Sequence, residues 1–373
     1  MSVNQTIEVA PAPRTLGTRL RGLAGHRAVW PLLALALILA VNGLVSPGFF
    51  SIRVVEGRFF GSTIDILYRA MPTAMVALGM AVVIGSKGID LSVGAIIAIC
   101  GATIAWRIHA GDPHVVVLLW ALGAGLLCGL WNGALVALLG IQPIVATLVL
   151  MVSGRGIGLM INLIYGGTNP SFESPFLQSL SVGHVGLIPT RLLLGAASFA
   201  ALWLLLRRTA LGLFIEAVGG NARAADLAGI GSRLVTYSAY LISGLTAGWA
   251  GVILTADTHI SDPVSQGLYI ELDAILAVVI GGGSLAGGRI HLGMTVIGTL
   301  IIQALATLIL TSGVPPEYNL VVKAVVVLAV LLLQSDDARA ALTRRNRARG
   351  SLGGGSPGGG SPGGGSPKGG RRR

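Results

Sequence analysis

Apolar residues along this chain run in blocks, not in alternation. The blocks fall at 29–45, 64–84, 91–106, 115–139, 145–165, 191–206, 237–256, 269–280, 292–311 and 318–333, separated by short polar or glycine-rich breaks. Most have the length, about 17 to 25 residues, that a helix needs to cross a hydrocarbon core. The period-two pattern of barrel strands is missing, and backbone groups in lipid must be satisfied within their own element. The pattern therefore predicts an all-α, polytopic membrane protein of about ten transmembrane helices. The block 269–280 is too short alone and must borrow residues or re-enter.

Composition agrees: mean hydropathy is +0.80, with 53% hydrophobic and 11% charged residues. The first block follows a basic stretch but is preceded by residues 1–28 and ends at no small-residue cleavage site, so it reads as a retained span. Cys100 and Cys128 lie inside apolar blocks and read as packing residues. A net charge of +11 suggests nucleic acid for a soluble protein, but here its placement follows membrane topology, and no nucleic-acid partner is expected. With both termini cytoplasmic, the outside loops carry only Arg53, Arg58 and Arg107, and the outside loop 166–190 has no basic residue. The expected organisation is a cytoplasmic segment 1–28, a transmembrane domain 29–334 with a long cytoplasmic loop 207–236, and a tail 335–373. From Gly353 the tail repeats GGGSP and ends KGGRRR, a composition that builds no core. Its arginines are either simply solvated or touch membrane lipid head groups.

The loop 207–236 contains EAVGGNARAADLAGIGSR, residues 216–233. It is too polar to span and too regular for a linker. Ala224, Ala225, Leu227, Ala228 and Ile230 predict a mostly small apolar surface, with Arg223 and Asp226 to one side. Two readings stand: an amphipathic helix lying on the membrane surface, or a docking helix that fits a groove on a cytoplasmic partner.

FIEAVGGNARAADLAGI, ELDAILAVVIGGGSLAGGR (271–289) and GMAVVIGSKGIDLSVGA (79–95) resemble the permease family of ribose-type sugar ABC importers, over essentially residues 29–334. GRFFGSTIDIL (57–67), IQPIVATLVLMVSGRG (141–156) and PPEYNLVVKAVVVLAVLLLQS (315–335) resemble the galactofuranose-importing branch of that family. The resemblance implies an ABC importer permease fold in a bacterial inner membrane and a pair of permease subunits, identical or different. It also implies two ATP-binding subunits that use ATP and magnesium, and an extracytoplasmic sugar-binding protein. It makes the polar loop the coupling helix, with Glu216, Gly220, Asn221, Ala224, Ala225, Gly229 and Ile230 as docking residues. No phosphate-binding loop is present, GSKG (85–88) being the nearest miss, so this chain is expected to bind no nucleotide and to perform no chemistry.

GSKGIDLSVG (85–94) reads as a turn and helix start, with Asp90 favoured by the helix dipole. GGGSLAGGR (281–289) lacks the strand and acidic residue of a dinucleotide site and reads as a tight turn. AVVIG occurs at 81–85 and again at 277–281, each time before a glycine-rich turn. Ionisable and amide side chains in or bordering the blocks are costly in lipid and are the pathway candidates: Asp65, Arg69, Asp90, Asn132, Gln142, Arg155, Asn162, Glu271, Asp273 and Gln303. Local pairing and snorkelling compete with a polar passage for a hydroxyl-rich solute. The alternative function is an ion-coupled secondary transporter, which needs indispensable carboxylates around Asp65 or Asp90. No nucleophile–base or metal constellation appears.

Overall fold

The computed structural model describes residues 29–55, 57–313, 315, 318, 320–325 and 328. The segments 1–28 and 335–373 and half of the block 318–333 lie outside the described residues. Helix α1 (Val29–Val45) leads through a hairpin, β1 (Arg53–Val55) with β2 (Arg58–Phe60), to α2 (Ser62–Gly85) and α3 (Val93–His109). Then come α4 (His114–Gly133), continued by a π-turn at Ala134–Leu138, and α5 (Pro143–Tyr165). A short helix α6 (Pro175–Ser181) and hairpin β3 (His184–Val185) with β4 (Ile188–Pro189) precede α7 (Thr190–Arg208). The chain continues through α8 (Leu211–Leu227), α9 (Ser232–Thr258), α10 (Ile270–Ile280) and α11 (Leu292–Thr311). Each apolar block from 29 to 311 thus forms a helix, and two small hairpins and an isolated bridge between Ser171 and Ile260 are the departures from all-α among the described residues.

Six helices are long and apolar enough to cross a membrane: α2, α4 with its π-turn, α5, α7, α9 and α11. Helices α1 and α3 are shorter apolar helices, and α10 has 11 residues. The expected count of about ten is therefore six full-length spans among the described residues, because several blocks form helices too short to cross by themselves.

Helix α9 organises the bundle. It packs on α2, α3 and α4, and its buried face is built from Ala, Gly, Ser and Thr. A Cβ on Gly125 would stand 2.7 Å from the Gly244 carbonyl oxygen, and one on Gly129 2.6 Å from that of Tyr240. Gly125 and Gly129 of α4 thus meet Gly244 and Gly248 of α9, the small-xxx-small contact by which membrane helices approach when no hydrophobic drive separates lipid from protein. Helices α2 and α9 are largely buried, whereas α4, α5 and α7 expose most of their apolar side chains, the distribution expected of a layer facing hydrocarbon.

A candidate docking face and a buried polar seam

Helix α8 is two helices. Asn221 has φ −159 and ψ 98, which breaks the helical run, and its Oδ1 accepts a 3.0 Å hydrogen bond from the Ala224 amide. Asn221 is therefore the N-cap of the second half, the side chain supplying one acceptor to a helix start. The first half is bolted to the bundle. Glu216 Oε1 accepts from the Ile290 amide at 3.0 Å, and a Cβ on Gly219 would strike the Gly85 carbonyl and stand 2.6 Å from the Gly288 nitrogen. That same Gly85 carbonyl accepts from the Gly288 amide at 3.0 Å. The ends of both AVVIG stretches, Gly85 directly and Gly281 through the turn that follows it, feed this junction.

The second half presents Ala224, Leu227 and Ala228 to the exterior, Leu227 being 86% exposed. Gly220 and Asn221 are exposed, and Gly229 is exposed with φ +83, the left-handed conformation that glycine supplies at a helix end. Ala225 and Ile230 fall elsewhere: Ala225 is buried in a cluster with Val82, Val83, Val235 and Tyr240, and Ile230 packs against it. The expected surface of five apolar residues is split, because in one helix at about 100° per residue Ala225 and Leu227 stand about 200° apart and cannot share a face. Asp226 turns back on the next helix, accepting from the Ser232 amide at 2.9 Å and its hydroxyl at 2.8 Å. Those two bonds, together with the Arg233 charge, hold its carboxyl below the usual carboxylate value. A cavity of about 630 Å³ beside this helix is lined by Lys87, Arg223 and Arg233 among others.

The pathway candidates divide into three groups. Asp65 and Arg69 form an exposed ion pair of 2.8 Å on the first turns of α2. Gln142 is exposed at the start of α5, and Gln303 is half-buried in α11. Asp273 pairs with the Lys323 ammonium, both carboxylate oxygens lying at 2.9 Å.

Asp90 and Asn132 are fully buried. Asp90 accepts from the Ser92 amide (3.1 Å), the Ser92 hydroxyl (2.6 Å), the Ser243 hydroxyl (2.8 Å) and Asn132 Nδ2 (3.4 Å). It ties the start of α3 to α4 and α9.

Arg155, Asn162 and Glu271 do converge. Arg155, just past the middle of α5, donates to the carbonyls of Pro263, Val264, Gln266 and Gly267 at 2.9 to 3.3 Å. Asn162, two turns on, donates to Ser261 O (3.1 Å) and accepts from the Ser261 hydroxyl (3.1 Å). The segment 259–269 is thus drawn into the bundle alongside α5 and feeds the short α10. A Cβ on Gly94 would stand 2.6 Å from Gly267 O, 2.7 Å from Glu271 Oε2 and 3.2 Å from Arg155 Nη2. Irregular backbone at such depth is tolerated only where protein groups satisfy it, and Arg155 supplies the donors. Sequence reasoning named Arg155, Asn162 and Glu271 as pathway candidates and foresaw neither the clamp nor the segment. Its signal was the polar, breaker-rich run from Asp257 to Gly267, which includes Pro263.

Residues 62–331 match the family described as branched-chain amino acid transport system / permease component. The galactofuranose transporter permease protein YtfT of Escherichia coli K12 is 53% identical over 315 residues, 83% of this chain and 92% of that protein. The ribose import permease protein RbsC of the same strain is 35% identical over 310 residues, 82% of this chain and 92% of its own. The fructose import permease protein FruF of Bifidobacterium longum is 34% identical over 334 residues, 87% and 93% of the two chains. No solved structure matches. The resemblance read from the sequence blocks holds across the transmembrane region, and the chain belongs to the branched-chain amino acid transport system / permease component family.

Proposed function

We propose that this chain is the membrane-spanning permease subunit of an ATP-driven sugar importer in a bacterial inner membrane. The observation that carries the reading is 53% identity to a galactofuranose permease over 83% of the chain, supported by ribose and fructose permeases of comparable coverage. A second permease subunit, two ATP-binding subunits and an extracytoplasmic sugar-binding protein complete the assembly. ATP with magnesium is hydrolysed by the partner. Both termini face the cytoplasm, and ten apolar segments contribute to the membrane domain. The exposed half of α8 after Asn221 docks on the ATP-binding subunit, and the spans open alternately to the two sides as that subunit cycles. Ala224, Leu227 and Ala228 form the contact, with Gly220, Asn221 and Gly229 shaping it. Glu216, Ala225 and Ile230 fasten the helix to the bundle.

Purification in mild detergent from the native host, with assay of vanadate-sensitive ATPase, tests this. Recovery of an ATPase subunit from the wild type, lost from Leu227→Glu while the permease remains folded, is the expected outcome. A chain that purifies alone and moves sugar down an ion gradient overturns it.

A further inference from the structure

A cavity of about 470 Å³ lies on the segment that Arg155 and Asn162 hold, lined by Asn169, Leu254, Thr258, Ile260, Asp262, Ser265, Gln266 and Gly267. That volume falls within the range of about 300 to 1,000 Å³ typical of small-molecule sites. Its chemistry is narrow: two amides, two hydroxyls and one carboxylate against the apolar sides of Leu254 and Ile260. No cationic side chain lines it. The Arg155 guanidinium nearby is engaged with four carbonyls. The Asp262 carboxylate takes the Val264 and Ser265 amides on Oδ1, at 3.0 and 3.1 Å, and a carboxylate with about four lone-pair sites keeps acceptor capacity beyond these two bonds.

Three further polar atoms are enclosed beside the cavity. Gln266 Nε2 and Oε1 and Thr255 Oγ1 are buried with no hydrogen-bond partner among the described residues. Gln266 Oε1 and Thr255 Oγ1 both lie within 2.8 Å of where a Cβ on Gly101 would stand, so they adjoin each other under the segment. Buried polar atoms in native proteins are nearly always paired, and unpaired ones cluster where something else completes them.

We infer that this cavity is a subsite for a neutral monosaccharide within the permease itself, with Asp262 as its principal hydrogen-bonding residue. The inference rests on the sugar-importer reading and names where the solute pauses in the membrane domain. The carboxylate accepts from ring hydroxyls, the amides and hydroxyls serve either role, and Leu254 and Ile260 cover the apolar edge of the ring. With no cation in the lining, phosphorylated sugars and sugar acids are rejected beside Asp262. A subsite on a transport path must release its cargo, so the affinity is weak.

The test uses the full chain in phospholipid nanodiscs with Asn169→Cys as a reporter at the cavity rim, Cys100 and Cys128 being buried. D-ribose, D-fructose and D-galactose at about 50 mM, a concentration suited to millimolar binding, are expected to slow maleimide labelling about threefold for at least one sugar. Sorbitol and ribose 5-phosphate should leave the rate unchanged. Adding Asp262→Asn, which keeps the Oδ1 bonds but removes the charge, should abolish protection. Saturation-transfer NMR on the unmodified chain, with its Asp262→Asn counterpart, gives the same readout should the reporter variant fail to fold. Equal labelling with and without all three sugars, together with no saturation transfer, overturns the subsite. ATP-driven uptake by the assembled importer separates the two claims: uptake without protection removes the subsite alone, whereas protection without uptake leaves the subsite and removes the importer reading.

Discussion

Two adjacent glycines in α8 give opposite expectations. At Gly219 a Cβ would press on the Gly85 carbonyl and stand 2.6 Å from the Gly288 nitrogen, both backbone atoms, whereas at Gly220 nothing lies within 4 Å. Gly219→Ala must push α8 off the end of α2. That breaks the 3.0 Å Gly288–Gly85 hydrogen bond and stretches the 3.0 Å bond from Ile290 to Glu216. Overpacking a close backbone contact costs about 1 to 3 kcal/mol, and a lost hydrogen bond adds about 1 kcal/mol. The combined cost is about 2 to 4 kcal/mol, confined to the junction between α8, α2 and the turn before α11. Gly220→Ala gains helix propensity at an exposed position and costs nothing beyond about 0.5 kcal/mol. In proteoliposomes containing the assembled importer, Gly219→Ala should lower sugar uptake at least about tenfold per ATP hydrolysed, the factor that 1.4 kcal/mol represents. Gly220→Ala should match wild type. Equal coupling in the two variants, at equal incorporation into the assembly, would refute the reasoning, because only the backbone contact distinguishes the two sites.

Asn221→Ala removes the cap of the docking half, at about 1 kcal/mol, and should weaken ATPase recovery in pull-downs severalfold, with Asn221→Asp restoring it. Arg155→Met leaves four carbonyls of the 263–267 segment without their donor and should lower the thermal midpoint of the detergent-solubilised protein by the equivalent of about 2 to 4 kcal/mol. An unchanged midpoint would mean that water replaces the guanidinium. Asp90→Ala strands the hydroxyls of Ser92 and Ser243 and should destabilise the bundle by about 3 kcal/mol, more than Asp90→Asn, as read by the same melting assay. The Asp226 carboxyl is held below its usual 3.8 by the Ser232 amide, then the Ser232 hydroxyl and the Arg233 charge. A depressed carboxylate contributes fully above its unfolded value and loses that contribution only as pH falls through the folded one. Corrected protection of the Ser232 amide from hydrogen exchange should therefore stay constant between about pH 8 and 5 in the wild type and drop in Asp226→Ala at every pH.

Hydropathy revealed the helices because every apolar block longer than a few turns has only one way to satisfy its backbone in lipid. It failed at 259–269 for the same reason that it succeeded elsewhere. The scale reads composition, and this segment is polar, so it passed for an outside loop although Arg155 and Asn162 hold it alongside α5. The shortness of the block 269–280 was the visible trace, since α10 begins only after left-handed turns at Gly267 and Tyr269. Arg155 stood out as a charge in apolar surroundings, but its target lies more than a hundred residues away, and no local pattern encodes that pairing. The docking helix was legible as an element and misread in phase. The apolar residues after Asn221 read as one surface by composition, but at about 100° per residue Ala225 turns inward while Leu227 turns outward.

The half-helix after Asn221 is fastened at both ends, to α2 and the 288–290 turn through Gly219 and Glu216, and to α9 through Asp226 and Ser232. Mechanically it is a crossbar on two pivots, not a lever on one. A load applied at Leu227 divides between α2 and α9, which pack against each other along their buried faces. Equal loading slides the pair together, whereas an off-centre push shears one past the other. In the proposed assembly, the direction of the partner's stroke, more than its strength, would then decide whether the inner bundle shifts as a block or opens along the α2–α9 seam.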